Sequence, residues 1–300
     1  MRAPGERTRW TVLELLNWTA DYFAKVDLRD ARLNAELLLG KALGLERIML
    51  YARFDEVVSE QKRAEFRQLV RQRVERRPLQ YLLGSCEFYG RQFEVTPAVL
   101  VPRQETELLV EKCLEKLPEA EAWAAEPCTG SGVVAITLAA ERPGLRVAAT
   151  DCCPEALEVA ARNAARHGVA ERVLLLEGDL AEPVAAALPA QRRGVDLVAS
   201  NPPYVPTARI EQLAPEVRDH EPRQALDGGP DGLSVLRCLV PQAAGLLNPG
   251  GWLALEIGEG QAEAVGGMAR QAAVFAMDTA ETTTDATGCQ RIFCVRRSAD

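Results

Sequence analysis

The chain has only two histidines, His167 and His220, and no Cys-x-x-Cys pair. Its eight cysteines are Cys86, Cys113, Cys128, Cys152, Cys153, Cys238, Cys289 and Cys294. A Cys/His zinc site is therefore not supported, and no metal is expected. Positive charge is also in deficit: 43 acids face 35 bases, for a formal charge of −8. A protein that grips nucleic acid through its phosphates carries the opposite excess, so direct DNA binding is not expected. No uncharged apolar run reaches the roughly eighteen residues that span a bilayer, which argues against a membrane protein. The stretch from Met1 to Trp10 carries three arginines with no apolar segment behind them. No secretory signal is expected, which points to the cytoplasm and to reduced thiols. Cys128 apart, the cysteines read as small buried hydrophobes. There is no internal repeat and no low-complexity tract. What remains is ordinary globular composition, 47% apolar and 26% charged. It excludes disordered, collagenous and fibrous chains, and 300 residues suit two modest domains.

The first part reads as helices. Thr11 and Glu14 have capping-box spacing, and Val12, Leu15, Leu16, Tyr22 and Phe23 follow on one helical stripe. Asp30 precedes a second run, Ala31 to Leu43. Ser59 can cap a third, with Phe66, Leu69, Val70 and Val74 on one side and Pro78 as its stop. A helical domain over residues 1–82 results. The third helix carries Lys62, Arg63, Arg67, Arg71, Arg73, Arg76 and Arg77. This is either a solvated surface or a docking face for an acidic partner or RNA. Residues 83–98, with Phe88, Tyr89, Phe93 and Val95 around Gly90, suggest a β-hairpin linker. Thr106 to Leu117 reads as a further helix.

From about residue 122 the rhythm changes. Strand candidates Ala122–Ala125, Val147–Thr150, Val173–Glu177, Val195–Ser200 and Trp252–Ile257 alternate with helical runs Val133–Glu141, Pro154–His167, Leu233–Leu247 and Gln261–Arg270. Alternation of this kind means an α/β, Rossmann-like, doubly wound and mostly parallel sheet, here over 99–300. Ligands of such sheets bind beyond the carboxyl ends of the strands.

Four of those ends carry chemistry. After the first comes Glu126-Pro127-Cys128-Thr129-Gly130-Ser131-Gly132, whose glycines permit positive φ and close approach of a ligand to the backbone. It has neither the Lys of a Walker loop nor the third glycine of the dinucleotide fingerprint. After the second comes Asp151, about twenty residues on, where an acid can accept both hydroxyls of a ribose or cap the next helix. After the third, Asp179 precedes Leu180; its carboxylate can accept an exocyclic adenine amine or stand as a loop acid. After the fourth comes Asn201-Pro202-Pro203-Tyr204. Prolines lack N–H donors but keep their carbonyls, Asn201 adds a side-chain oxygen and Tyr204 a π face. That rigid set of acceptors suits a planar –NH2 group.

In this order, glycine loop, ribose acid, adenine acid and Asn-Pro-Pro-Tyr resemble a class I S-adenosylmethionine-dependent methyltransferase acting on an amide or amino nitrogen. Pro102-Arg103-Gln104-Glu105-Thr106-Glu107 is similar to the Pro-Arg-Pro-Glu-Thr-Glu segment of the HemK-type glutamine N5-methyltransferases. Pro215 to Pro222, then Ala225-Leu226-Asp227-Gly228-Gly229 and Asp231-Gly232, resemble that family as well. The likeness runs from about Pro78 to Arg296. It implies a monomer that methylates the glutamine of the Gly-Gly-Gln loop in class 1 peptide chain release factors, with S-adenosylhomocysteine as product and residues 1–82 as a docking domain. It further implies cofactor contacts from Glu126, Cys128, Thr129, Gly130, Ser131, Gly132, Asp151, Asp179, Leu180 and Asn201. Asn201, Pro202, Pro203 and Tyr204 would hold the substrate, with Asn201, Pro202 and Tyr204 in catalysis. The chain departs from the family at Glu126, usually Asp; at Pro127 after it; at Cys128, commonly Gly; at Gln104, usually Pro; and at Leu180, where some members carry Trp.

Three rival readings stay open on the sequence. One is a glutamine N5-methyltransferase of a ribosomal protein. Another is a DNA adenine N6-methyltransferase, which shares Asn-Pro-Pro-Tyr. The third is an inactive module that only binds S-adenosylmethionine.

Overall fold

The computed structural model describes residues 9–299, and elements are numbered in chain order. Two compact units are present. One comprises the chain up to Gly84 together with Pro215–His220; the other comprises Ser85–Ala214 and Glu221 onward.

The first unit holds α1 (Val12–Lys25), α2 (Ala31–Leu43), α3 (Arg47–Ala52), α4 (Glu60–Val74) and α5 (Leu79–Leu83), plus the single turn α11 (Pro215–Arg218). The expected capping box is present: Glu14 N–H donates to Thr11 Oγ1, and Thr11 N–H donates to Glu14 Oε2. Such a cap is worth about 1 kcal/mol. Ser59 likewise accepts from the Lys62 N–H at the start of α4. Leu16, Phe23, Leu38, Leu39, Leu50 and Phe66 form the core of this unit. Glu36 is buried among them. Burial alone would raise its carboxyl, but Tyr51, Arg32 and Arg47 donate to it and hold it below the ordinary carboxylate range.

Part of the basic face on α4 is engaged within the unit. Arg73 is only 7% exposed; its Nε donates to Asn34 Oδ1 at 2.7 Å and its Nη2 to Glu216 Oε1 at 3.1 Å. Arg76 also pairs with Glu216 and donates to the carbonyls of Val26 and Asp27. Lys62 and Arg63 pair with glutamates of their own helix. Much of the charge is spent inside the unit.

The second unit begins with the antiparallel hairpin β1 (Ser85–Phe88) and β2 (Arg91–Glu94). Tyr89 and Gly90 both have positive φ, the geometry of a two-residue hairpin turn. The helix α6 (Glu105–Lys116) follows. Then come β3 (Ala122–Pro127), α7 (Val133–Glu141), β4 (Leu145–Asp151), α8 (Pro154–Arg166), β5 (Val173–Glu177), α9 (Val184–Ala187) and β6 (Val195–Ser200). The chain closes with α10 (Thr207–Ile210), α12 (Ser234–Leu246), β7 (Leu247–Glu256), α13 (Ala262–Gln271), β8 (Phe275–Thr284) and β9 (Gln290–Arg297). The sheet has seven strands in the order β5-β4-β3-β6-β7-β9-β8. β3 to β7 run parallel, as expected, while β9 runs antiparallel to β7 and β8 to β9. The last two strands are additions to the sequence reading. β8 is rich in Thr and acids and largely open to solvent, so it has no apolar run to betray it.

The thiols also differ from expectation. All eight are free, but of the seven read as buried only Cys113 and Cys294 are. Cys152 lies in the loop after β4, and Cys238 lies on α12 away from the inward Leu236, Leu239 and Val240, so both are exposed. No helix among the described residues is long and apolar enough to cross a membrane.

Candidate active site

β3 stands at the centre of the parallel strands. β4 and β5 follow on one side of it, β6 and β7 on the other. The strand order reverses there, which leaves a crevice beyond the carboxyl ends. Cys128, Thr129, Gly130 and Ser131 line it from the loop after β3, with Glu126 at their base. Asp151 enters from β4, Asp179 and Leu180 from the loop after β5, and Asn201 and Pro203 from the loop after β6. Gly132, Pro202 and Tyr204 lie outside this lining. Gly132 begins α7 at φ +81°, and a Cβ there would stand 2.7 Å from Ile136 Cδ1 and 3.2 Å from Ala160 Cβ. That glycine lets α7 approach α8.

The loop after β3 is organised by its own carboxylate. Glu126 is 2% exposed, and its Oε2 accepts from Thr129 Oγ1 at 2.6 Å and from the Ala135 N–H at 2.9 Å. Burial pushes its carboxyl up to about 8, against the pull of those two donors. Cys128 adopts a left-handed conformation at φ +61°, a strained choice for a residue with a β-carbon. Burial raises its thiol, so it faces the crevice as a neutral group. Asp151 accepts the Gly130 N–H at 2.9 Å on Oδ2 and the Cys153 N–H at 3.0 Å on Oδ1. Cys152 Sγ also lies 4.0 Å from Oδ1, so of the roughly four lone-pair sites of the carboxylate Oδ2, with a single donor, is the less occupied oxygen. The two N–H bonds fix the plane of the carboxylate.

The loop after β6 is held from behind. Asn201 Nδ2 donates to Thr106 Oγ1 at 3.1 Å, and Thr106 Oγ1 donates to Glu256 Oε2 at 2.6 Å. The Tyr204 hydroxyl donates to Glu256 Oε1 at 3.1 Å. Burial and the adjoining carboxylate raise the Tyr204 phenol, so it stays protonated. Gln261 Nε2 donates to the Tyr204 carbonyl at 2.9 Å, while the Val205 N–H donates to the Leu226 carbonyl and the Gly228 N–H to the Val205 carbonyl. The Ala225–Gly232 segment thus serves as a clamp. A Cβ on Gly232 would lie 2.4 Å from the Tyr204 carbonyl oxygen, so no side chain fits there. Arg103, beside the crevice, donates to Glu221 at 2.6 Å, and the Val101 N–H donates to the other oxygen of that acid at 3.3 Å.

Sequence reasoning assigned no role to Thr106, Glu256 or Asn163. Asn163 is fully buried on α8; it takes the Glu94 N–H and donates to the carbonyls of Glu94 and Ser131, tying the hairpin to the glycine loop. Two of the three left a signal. Glu256 is an acid closing the apolar run Trp252–Leu255, and Asn163 is an amide on the inward stripe of an amphipathic helix.

A family model described as the PrmC N-terminal domain matches residues 14–84, and one described as the methyltransferase small domain matches residues 104–218. The release factor glutamine methyltransferase of Geobacter sulfurreducens is 49% identical over 259 residues, covering 86% of this chain and 88% of that one. Its namesake in Moorella thermoacetica is 48% identical over 269 residues, covering 89% and 91%. Among solved structures, a methyltransferase from Pyrococcus furiosus aligns with a TM-score of 0.50 at 19% identity, over 70% of this chain and 91% of that one. The hMettl16 catalytic domain aligns with a TM-score of 0.53 at 10% identity, over 69% and 75%. At such identities these two structures speak for the fold alone. With close to half its residues shared across nearly the full length of curated relatives, the chain belongs to the release factor glutamine methyltransferase family.

Proposed function

We propose that the chain transfers the methyl group of S-adenosylmethionine to the side-chain amide nitrogen of the glutamine in the Gly-Gly-Gln motif of class 1 peptide chain release factors, in the cytoplasm. In this reading residues 1–82 dock the protein substrate, 83–98 are a linker and 99–300 carry the transfer. One observation carries it: Asn201 shares a crevice with Asp151 and the glycine loop, so an amide acceptor and a nucleoside-type cradle open on the same space. The residues fit the cofactor. Asp151 lines the crevice with acceptor capacity left on Oδ2 for a ribose hydroxyl, Asp179 is a second carboxylate in the lining, and Gly130 would carry its Cβ into open space. When bound, S-adenosylmethionine supplies an electrophilic methyl group on a sulfonium.

The remaining work falls to this chain's own residues. An amide nitrogen is a weak nucleophile because its lone pair is delocalised into the carbonyl. Asn201 Oδ1 and the Pro202 carbonyl accept the two hydrogens of the –NH2, hold its plane and favour pyramidal nitrogen. Orientation of this kind contributes up to about 7–11 kcal/mol in favourable systems. The same acceptors stabilise positive charge as it develops on nitrogen, each worth a few kcal/mol by analogy with oxyanion holes. Tyr204 supports the site through Glu256. The alkylated amide is strongly acidic and loses its proton to water, so no strong base is required.

The direct test is mass spectrometry of tryptic peptides after incubation with S-adenosylmethionine and a purified release factor, with ribosomal proteins and duplex DNA as parallel substrates. The expected result is one methyl group on the Gly-Gly-Gln glutamine and none on the other two. An unmodified release factor beside a methylated ribosomal protein or adenine would reject the assignment.

A further inference from the structure

We propose that Glu256 is a positioning residue: acting through the Thr106 hydroxyl, it determines which end of the Asn201 carboxamide faces the substrate. This rests on the reading of Asn201 as the acceptor of the substrate amide. The argument is one of proton counting. Glu256, 1% exposed, lies behind the crevice at the end of β7 and touches two hydroxyls, Thr106 on Oε2 at 2.6 Å and Tyr204 on Oε1 at 3.1 Å. Burial raises the Glu256 carboxyl, against the pull of the Thr106 and Tyr204 donors; as a carboxylate it can only accept. Each hydroxyl has a single proton, so both protons are committed to Glu256. The Thr106 oxygen is then left with lone pairs alone toward Asn201, 3.1 Å away. Only an N–H can face it. Asn201 Nδ2 is therefore turned to Thr106, and Oδ1 is directed away from that bond.

The reverse orientation would set Oδ1 against an oxygen with no proton to give. It would also present two N–H groups to an incoming –NH2, donor against donor. The difference between the two orientations is one buried hydrogen bond against one unpaired acceptor, on the scale that decides rates tenfold or more. The short chain from Glu256 through Thr106 to Asn201 thus acts as a polarity marker for an amide that would otherwise be free to flip. Glu256→Gln abolishes the marker, because a carboxamide can donate to Thr106 and free the threonine proton for Asn201 Oδ1. Thr106→Val removes the relay while keeping the shape, and Thr106→Ser keeps the hydroxyl.

The test uses the full-length enzyme with a release factor as substrate. It measures kcat, KM, S-adenosylmethionine affinity by calorimetry, and Tm. Glu256→Gln and Thr106→Val are expected to lower kcat by roughly ten- to hundredfold, with cofactor affinity within about threefold of wild type. Thr106→Ser should recover most of that loss. Adding Glu256→Gln to Asn201→Ala should lower kcat no further, because the two act through one carboxamide. Wild-type kcat in a folded Glu256→Gln protein, or multiplicative losses in the double variant, would overturn the proposal while leaving Asn201 in its role. If Glu256→Gln does not fold, wild-type kcat in Thr106→Val overturns it equally. Wild-type kcat in Asn201→Ala would instead remove the reading on which the proposal stands.

Discussion

A carboxyl held near neutrality in a pocket wall has consequences for the residue and for the pH behaviour of the protein. Glu126 is lifted from an ordinary value of 4.5 to about 8, with burial as the main cause. The native protein therefore keeps a proton that the unfolded chain releases above about pH 4.5. Stability contributed by this group is complete below that value, falls by about 1.4 kcal/mol per pH unit between 4.5 and 8, and is gone above 8. Glu126→Gln, which carries no titratable proton there, should lack this slope. Urea unfolding of the ligand-free proteins at pH 6 and pH 8 reads the difference directly. A parallel fall in both would show that the wild-type carboxylate is ionised throughout. The sequence showed this position as a departure, Glu in place of Asp, without showing its burial. The extra methylene lets the carboxyl reach the Thr129 hydroxyl and the Ala135 N–H, and those partners come from folding the loop back on itself. Asp151 and Asn201 were legible because strand-end positions are fixed by hydrophobic periodicity. Thr106 was not, and Glu256 showed only as an acid closing a strand, because the partners that define them lie 95 and 150 residues away along the chain.

At the scale of elements, α4 shows how a charge count misleads. Seven basic side chains between Lys62 and Arg77 look like a surface, yet Arg73 is enclosed, and a residue from outside the helical sequence closes it in. Burial lowers the guanidinium, and Glu216 opposes that. Removing the cation leaves Asn34 Oδ1 without its Arg73 donor and Glu216 with Arg76 alone, so Arg73→Met should cost about 3 kcal/mol. Arg67→Ala, at a position 55% exposed beside Glu60, should change stability by less than about 0.5 kcal/mol. Thermal unfolding of the two variants separates these outcomes, and equal Tm values would contradict the buried assignment. Helices with strong caps and stripes, such as α1 and α8, were readable to within a residue or two. The inner parallel strands β3, β4 and β6 were readable because both their faces are covered, which makes them continuous apolar runs. β8, at the sheet edge, has no such run; β9 has one, Ile292 to Val295, but it is short and its pairing with β7 is set by contacts distant in sequence.

For the molecule as a whole, the two units have separate cores, and the membership of Pro215–His220 becomes a measurable property. Inside the helical unit, Glu216 meets Arg73 and Arg76, and the His220 ring lies 2.9 Å from the Glu75 carbonyl oxygen. The Asp219 N–H donates to the Pro215 carbonyl within the same short turn. Under mild urea, hydrogen exchange of the Asp219 amide is expected to accelerate in step with amides of α1 and α2. Exchange locked to β3 and β6 would assign the segment to the sheet. If it moves with the helices, the boundary between the units cannot be drawn as one point along the chain. The polypeptide passes from one body to the other three times, after Gly84, before Pro215 and after His220. An evolutionary exchange of the helical body for another could then not proceed by swapping an N-terminal gene segment alone. The incoming module would also have to find a match in a hexapeptide encoded some four hundred nucleotides downstream, which ties the ancestry of the two bodies together.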